Sequence, residues 1–192
     1  MASEPWPECD TPLTRGDAVA LIRDAATRSD AGSLAALLDA PLVRGDLLLR
    51  RRIVNALIRL HDPISAEALV RIVEEVDDPL RVSALTALAR IGDRRLVPLF
   101  IETLEGDKHQ ARIRAIWGLS ESRANEAIVP LIAALDDPSP SIKAAAAAAL
   151  ANIGDPMAIP PLREAKRRAW RPWRRYGLWI ELKLLEEKNP RG

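Results

Sequence analysis

A basic residue recurs every 31 positions along the chain: Arg50, Arg81, Arg112, Lys143 and Arg174. The residue before each is apolar, and seven residues after the first four stand Leu57, Leu88, Leu119 and Leu150. Each of these leucines follows a small residue, namely Ala56, Ala87, Gly118 or Ala149. Asp62, Asp93 and Asp155 keep the same step, which only Ala124 breaks. A fixed period of this length is the mark of a chain built from stacked supersecondary units.

Each unit reads as two helices. Residues 80–91 carry an apolar stripe at helical spacing. Gly92 follows, as expected where the chain must turn left-handed. Asp93 offers a side-chain oxygen to the open amides of the next helix. Residues 96–104 form that second helix, with Pro98 in its first turn, where a missing donor costs little. The same plan pairs 49–60 with 65–76, 111–120 with 125–135 and 142–153 with 157–168. Pro130 lies 32 rather than 31 residues beyond Pro98, so the turn between 111–120 and 125–135 is expected to be one residue longer, with Asn125 as its cap. A degenerate first pair is expected near 17–27 and 33–38, where Val19 replaces the basic residue. Leu178, Leu182 and Leu185 form a closing stripe with no second helix after it. Such hairpins cannot bury their apolar faces alone, so neighbours must stack. The six alanines from Ala144 to Ala149 suit a helix squeezed closely between others. The expected fold is therefore an all-α, right-handed solenoid of helical hairpins with a C-terminal capping helix. Residues 1–12 form a loose lead-in, 13–169 the array, 170–188 the cap and 189–192 a tail.

Composition bounds the function. Twenty-eight Lys and Arg against 27 Asp and Glu leave a net charge of +1, so no global basic field draws in a polyanion. The single Cys9 excludes an internal disulfide framework and a cysteine zinc site. No run of 18 apolar residues marks a membrane span, and the acidic, proline-rich start does not read as a signal peptide. A cytoplasmic protein is expected. His61 and His109 have no paired spacing, so no metal is expected, and no phosphate-cradling or nucleophile motif points to a cofactor or a catalytic centre.

Residues 149–162, Ala-Leu-Ala-Asn-Ile-Gly-Asp-Pro-Met-Ala-Ile-Pro-Pro-Leu, complete a pattern of Asp-Pro, apolar-Arg/Lys, Ala-Leu and Ile-Gly-Asp that also runs through 78–104. This pattern resembles HEAT repeats, in the short form found in phycobilisome lyase subunits. The resemblance covers residues 46–168 and implies a scaffold. It also implies that the column Arg50, Arg81, Arg112 and Lys143 is a structural ladder bonding carboxylates or helix-end carbonyls of neighbouring repeats. Asp62, Asp93 and Asp155 read as caps.

Two groups of residues are candidates for partner contact. Trp117 and Trp179 share a repeat column with Asn55, Thr86 and Ala148, a column too polar for deep core, so either packing under a neighbouring element or anchoring a partner fits them. Residues 163–176 hold seven basic side chains and one acidic one, with Trp170, Trp173 and Tyr176 interleaved among Arg167, Arg168, Arg171, Arg174 and Arg175. That segment can be a helix end and cap, a dock for an acidic protein, or a surface for nucleic acid or an acidic membrane. On the second-helix face, concave in HEAT folds, Glu67, Arg71, Glu102 and Arg163 are candidate groove residues. The reading is a binding scaffold holding a protein partner through its concave groove and a Trp/Arg edge. The alternatives are a small-molecule accessory enzyme or chaperone, as the resemblance to phycobilin lyase subunits implies, and nucleic-acid binding through 163–176.

Overall fold

The computed structural model describes residues 13–75, 79–168 and 172–189, with side chains described except at 172–179. Helices α1 (Arg15–Thr27) and α2 (Ala31–Leu38) form the first hairpin, and a single turn, α3 (Pro41–Arg44), leads on. Then come α4 (Leu47–Leu60) with α5 (Ala66–Glu74), α6 (Arg81–Ile91) with α7 (Val97–Glu105), α8 (His109–Ser122) with α9 (Ile128–Ala134), and α10 (Pro140–Ile153) with α11 (Ile159–Arg168). Helix α12 (Pro172–Lys188) packs on both α10 and α11. The fold is an all-α, right-handed solenoid of helical hairpins with a C-terminal capping helix.

The sequence builds each hairpin turn from the same parts. The residue after the first helix is left-handed in all four central repeats: His61 (φ 54°), Gly92 (φ 66°), Arg123 (φ 47°) and Gly154 (φ 87°). Glycine adopts this conformation without strain, whereas a side chain there costs about 1–2 kcal/mol. The next residue caps the following turn. Asp62 accepts from the Ile64 amide at 2.9 Å, Asp93 from the Arg95 amide at 2.9 Å and Asp155 from the Met157 amide at 2.7 Å. One turn of 3-10 helix then opens each second helix.

The fourth hairpin differs from its sequence expectation. Its turn is not longer: Asn125–Ala127 starts in step with Arg94–Leu96, and α9 starts in step with α7. Pro130 is the third residue of α9 where Pro98 is the second of α7. Both positions lie among the first amides, which have no partner inside the helix, so proline is tolerated at either. Asn125 is not a cap. Ala124 stands in the capping place and offers no side-chain oxygen.

Apolar residues from Ala18 to Leu185 join into one core. Successive first helices pack directly on one another, α4 on α6, α6 on α8 and α8 on α10, and each second helix also packs on the first helix that follows it. The small column makes this approach possible. Ala56, Ala87, Gly118 and Ala149 each face inward, and a Cβ added to Gly118 would enter the ring of Phe100 on α7. Phe100 is fully buried and stands in the column that holds Leu69, Leu131 and Leu162 elsewhere. The larger ring is matched by the missing side chain. The alanine run is only half enclosed: Ala146, Ala147 and Ala149 are buried, but Ala144 and Ala148 are exposed. Six consecutive helical residues sweep the whole circumference, so one face of the run must point outward.

The end of the array is closed by polar contacts to α10. Lys188 Nζ donates to the Ala151 carbonyl at 2.8 Å, and Asn189 Nδ2 to the Gly154 carbonyl at 2.8 Å. These satisfy oxygens that the end of a helix leaves open.

Gly118→Ala should cost about 1–3 kcal/mol through overpacking, despite the better helix propensity of alanine. Adding Phe100→Leu should recover most of that loss by restoring the leucine–alanine pairing of the other repeats. Urea denaturation of both single variants and the double variant measures the coupling, and a Gly118→Ala protein as stable as the parent would refute the packing.

Candidate functional site

The second helices of successive hairpins barely approach one another, while the first helices touch. Clefts open on the second-helix side as a result. One, of about 500 Å³, has Val97, Pro98, Ile101 and Ala124 as its apolar floor, with Arg94, Arg95, Glu102, Glu105 and Glu126 around it. A second, of about 620 Å³, lies between α11 and α12 and includes Arg163, Lys166, Arg167, Lys183 and Glu186.

The four groove candidates occupy three places. Glu67 and Arg71 meet on α5, where Arg71 also binds Asp39 at the end of α2 at 2.7 Å. Glu102 lines the first cleft and makes no ion pair among the described residues. Arg163 sits at the second cleft, its Nε and Nη2 donating to Glu186 of α12 at 3.0 and 2.6 Å. In the basic segment, Arg167 pairs with Glu164, and Arg168 reaches both Glu164 at 3.0 Å and Asp136 at 2.7 Å. Hydrogen bonds from both arginines hold the Glu164 carboxyl below its ordinary value. Trp170 and Arg171 lie outside the described residues, as do the side chains of Trp173, Arg174, Arg175 and Trp179.

Trp117 projects from α8 with 48% of its surface exposed. The Arg114 guanidinium lies over its ring, 4.3 Å from the centroid. The Nε of Arg114 is buried with no hydrogen-bond partner among the described residues. The Arg114 contact was not visible in the sequence, although a spacing of three on a helix is the signal for it.

The ladder column is uneven. Arg112 Nε donates to the Leu104 carbonyl at 2.8 Å, and its Nη2 pairs with Asp137, whose other oxygen accepts from the Ser139 amide at 2.7 Å. One guanidinium thus ties the end of α7, the start of α8 and the approach to α10. Arg50 has Glu75 at 3.8 Å, the residue in step with Asp137. In the other two repeats that place holds Gly106 or Arg168, and Lys143 makes no ion pair among the described residues while the buried Nε of Arg81 finds no partner there. The acceptors had a signal that went unread, an acid 25 residues after the arginine in alternate repeats. His109, too, has a cross-repeat role. Its Nε2 lies 3.0 and 2.8 Å from the hydroxyls of Ser139 and Ser141.

Comparison with known proteins places these repeats. Residues 97–183 match the model of HEAT repeats, and residues 80–106 match that of the PBS lyase HEAT-like repeat. The chain is a HEAT-repeat protein. Its short repeats are of the PBS-lyase-like type. Among solved structures, the crystal structure of an engineered protein, a Northeast Structural Genomics Consortium target, is similar with a TM-score of 0.60 at 19% identity. That match covers 89% of this chain and 85% of the other, and it speaks to the fold alone. No curated protein matches the chain by sequence. No helix among the described residues is long and apolar enough to cross a membrane, and no described cluster of His, Cys, Asp and Glu could hold a metal.

Arg112→Ala should destabilise this HEAT array by about 2–4 kcal/mol, because it leaves the nearly buried Asp137 and the Leu104 carbonyl without their donor. Asp137 also predicts a pH dependence. Burial alone would raise its carboxyl, but the Ser139 amide and the Arg112 guanidinium hold it below the ordinary value. Its contribution is present above the unfolded aspartate range and is lost as pH falls through that range toward the depressed value. Thermal melts across acid pH should therefore show a shallower loss for Asp137→Asn than for the parent. Trp117→Ala, in contrast, should change stability by no more than about 1 kcal/mol, the scale of an exposed cation–π contact. A loss of about 3 kcal/mol, as for a core tryptophan, would show that the ring is structural.

Proposed function

We propose that this HEAT-repeat protein is a binding scaffold that holds a protein partner through its second-helix groove and a Trp/Arg edge. The observation that carries this reading is the cleft beside α7: an apolar floor, a charged rim, and a carboxylate at Glu102 with no ion pair among the described residues. A greasy centre with a polar rim is the pattern that protein interfaces use. The floor joins residues from two hairpins, Val97, Pro98 and Ile101 from one and Ala124 from the next, so a segment lying there would feel the spacing of the repeats themselves.

The other readings draw less support. The cleft is open, and the charged side chains around it belong largely to local ion pairs, Arg94 with Glu126 and Arg95 with Asp93. That suits a polypeptide better than an enclosed small molecule. Nucleic-acid binding through 163–176 would need its arginines unengaged, and the described ones, Arg163, Arg167 and Arg168, each face a carboxylate.

Pro98 and Glu102 are both exposed, so a Pro98→Arg, Glu102→Arg double variant should keep the fold. A protein that co-purifies with the parent should be lost by at least about tenfold, roughly 1.4 kcal/mol of binding, with an unchanged circular-dichroism spectrum. Equal recovery by the two proteins would rule out the groove.

A further inference from the structure

The opposite, first-helix face carries a feature that the groove does not use. Arg51, Arg52 and Arg59 project from the exposed side of α4, and Arg90 stands one repeat on from Arg59 on α6. Arg51, Arg52 and Arg59 make no ion pair among the described residues. The described partner of Arg90 is the His61 ring, whose Nε2 lies 3.0 Å from the guanidinium, and that of Arg114 is the face of Trp117. From α4 through α8 this face holds five such arginines, and the one carboxylate exposed on it in α4, α6 and α8 is Glu121. Elsewhere most of the described arginines are paired, with Arg23, Arg81 and Arg123 as the exceptions. Arg15, Arg44, Arg71, Arg112, Arg163 and Arg168 each have a carboxylate within 3.2 Å or less. The chain as a whole is nearly neutral, so this patch is a segregation of charge and not an excess.

We propose that the arginine patch of α4 and α6, with Trp117 at its α8 edge, is a docking surface for an acidic polypeptide segment. Arg51, Arg52 and Arg59 make no ion pair among the described residues that would hold the hairpins together, and crowding like charges on neighbouring helices costs stability that a bound polyanionic chain would return. Guanidinium groups match carboxylates as planar two-pronged donors. An exposed tryptophan beside arginines supplies the aromatic anchor typical of protein contact sites. A nucleic-acid strand fits less well. Its bases need successive aromatic platforms, and Trp117 is the only exposed aromatic among the described side chains of this face. This surface shares Trp117 with the edge in the scaffold reading but shares nothing with the groove, so the two can fail separately.

The test is fluorescence anisotropy with a labelled peptide of glutamate pairs separated by leucine, run beside an oligonucleotide of equal charge. The full chain should bind the peptide saturably at low salt, and the affinity should fall as salt rises. The combined variant Arg51→Ala, Arg52→Ala, Arg59→Ala should weaken binding about tenfold, since each exposed ion pair contributes modestly and three are removed. Trp117→Ala should weaken it independently, while the Pro98→Arg, Glu102→Arg protein should bind as the parent does. All of the patch substitutions are at exposed positions, and a circular-dichroism melt checks that each variant is folded. Absence of peptide binding, undiminished binding by the triple variant, or tighter binding of the oligonucleotide than of the peptide would each overturn the proposal.

Discussion

A hairpin of two short helices has more apolar surface than it can cover by itself, and everything else in this molecule follows from sharing that surface with the next hairpin. The requirement falls hardest on the first helices, which lie directly against one another. In their shared column, Ala56, Ala87, Gly118 and Ala149, Gly118 lacks a side chain where the second helix of the preceding unit sends Phe100 into the space beside it, and the residues in step with Phe100 are the smaller, fully buried Leu69 and Leu131. Size in one column and smallness in the other are two sides of one packing rule. The second helices are under no such demand, and their looser spacing opens the clefts.

Polar groups fill a supporting role in this arrangement. Backbone oxygens and amides at helix ends need partners wherever they are buried. The Asp column serves three of the four turns, and Arg112 with Asp137 serves a junction of three elements. Contacts such as Arg71 with Asp39, Arg168 with Asp136 and Asn152 with Ser120 all span 32 residues, one repeat to the next. They fix the register between units whose apolar faces alone would allow sliding. The ion pairs are mostly exposed and individually weak. Their value lies in specifying which neighbour position is correct.

The period and the turn chemistry were legible in the sequence because both depend on residue type at fixed steps. Left-handed turns and capping carboxylates demand a narrow choice of residues, so Gly92, Asp93, Gly154 and Asp155 announce themselves. His61 and Arg123 stand in the same turn column without being glycine, so only their register with Gly92 and Gly154 reveals their place. Reading failed where several residues satisfy the same physics. A proline suits any position in the first turn, so Pro130 suggested an insertion that is absent. An alanine can sit in a capping column when the turn tolerates an unfilled amide, which hid the role of Ala124. The candidate site was harder still. Trp117 was correctly read as outside deep core from the polarity of its column, but the side chains that engage Arg71, Arg163 and Arg168 come from other elements. Only the superhelical stacking decides which carboxylate each can reach.

The Phe100–Gly118 match has a consequence for how such an array can be remade. Tandem units usually permit recombination, in which one copy is excised or duplicated and the flanking copies meet in register. Here the boundary between the third and fourth hairpins is individual. Removing the fourth unit would press the phenylalanine ring against Ala149, and removing the third would leave Leu69 facing an unfilled gap at the glycine. The array is modular in its turns and its period, yet it carries one seam where order matters, and that seam ties the third unit to the fourth.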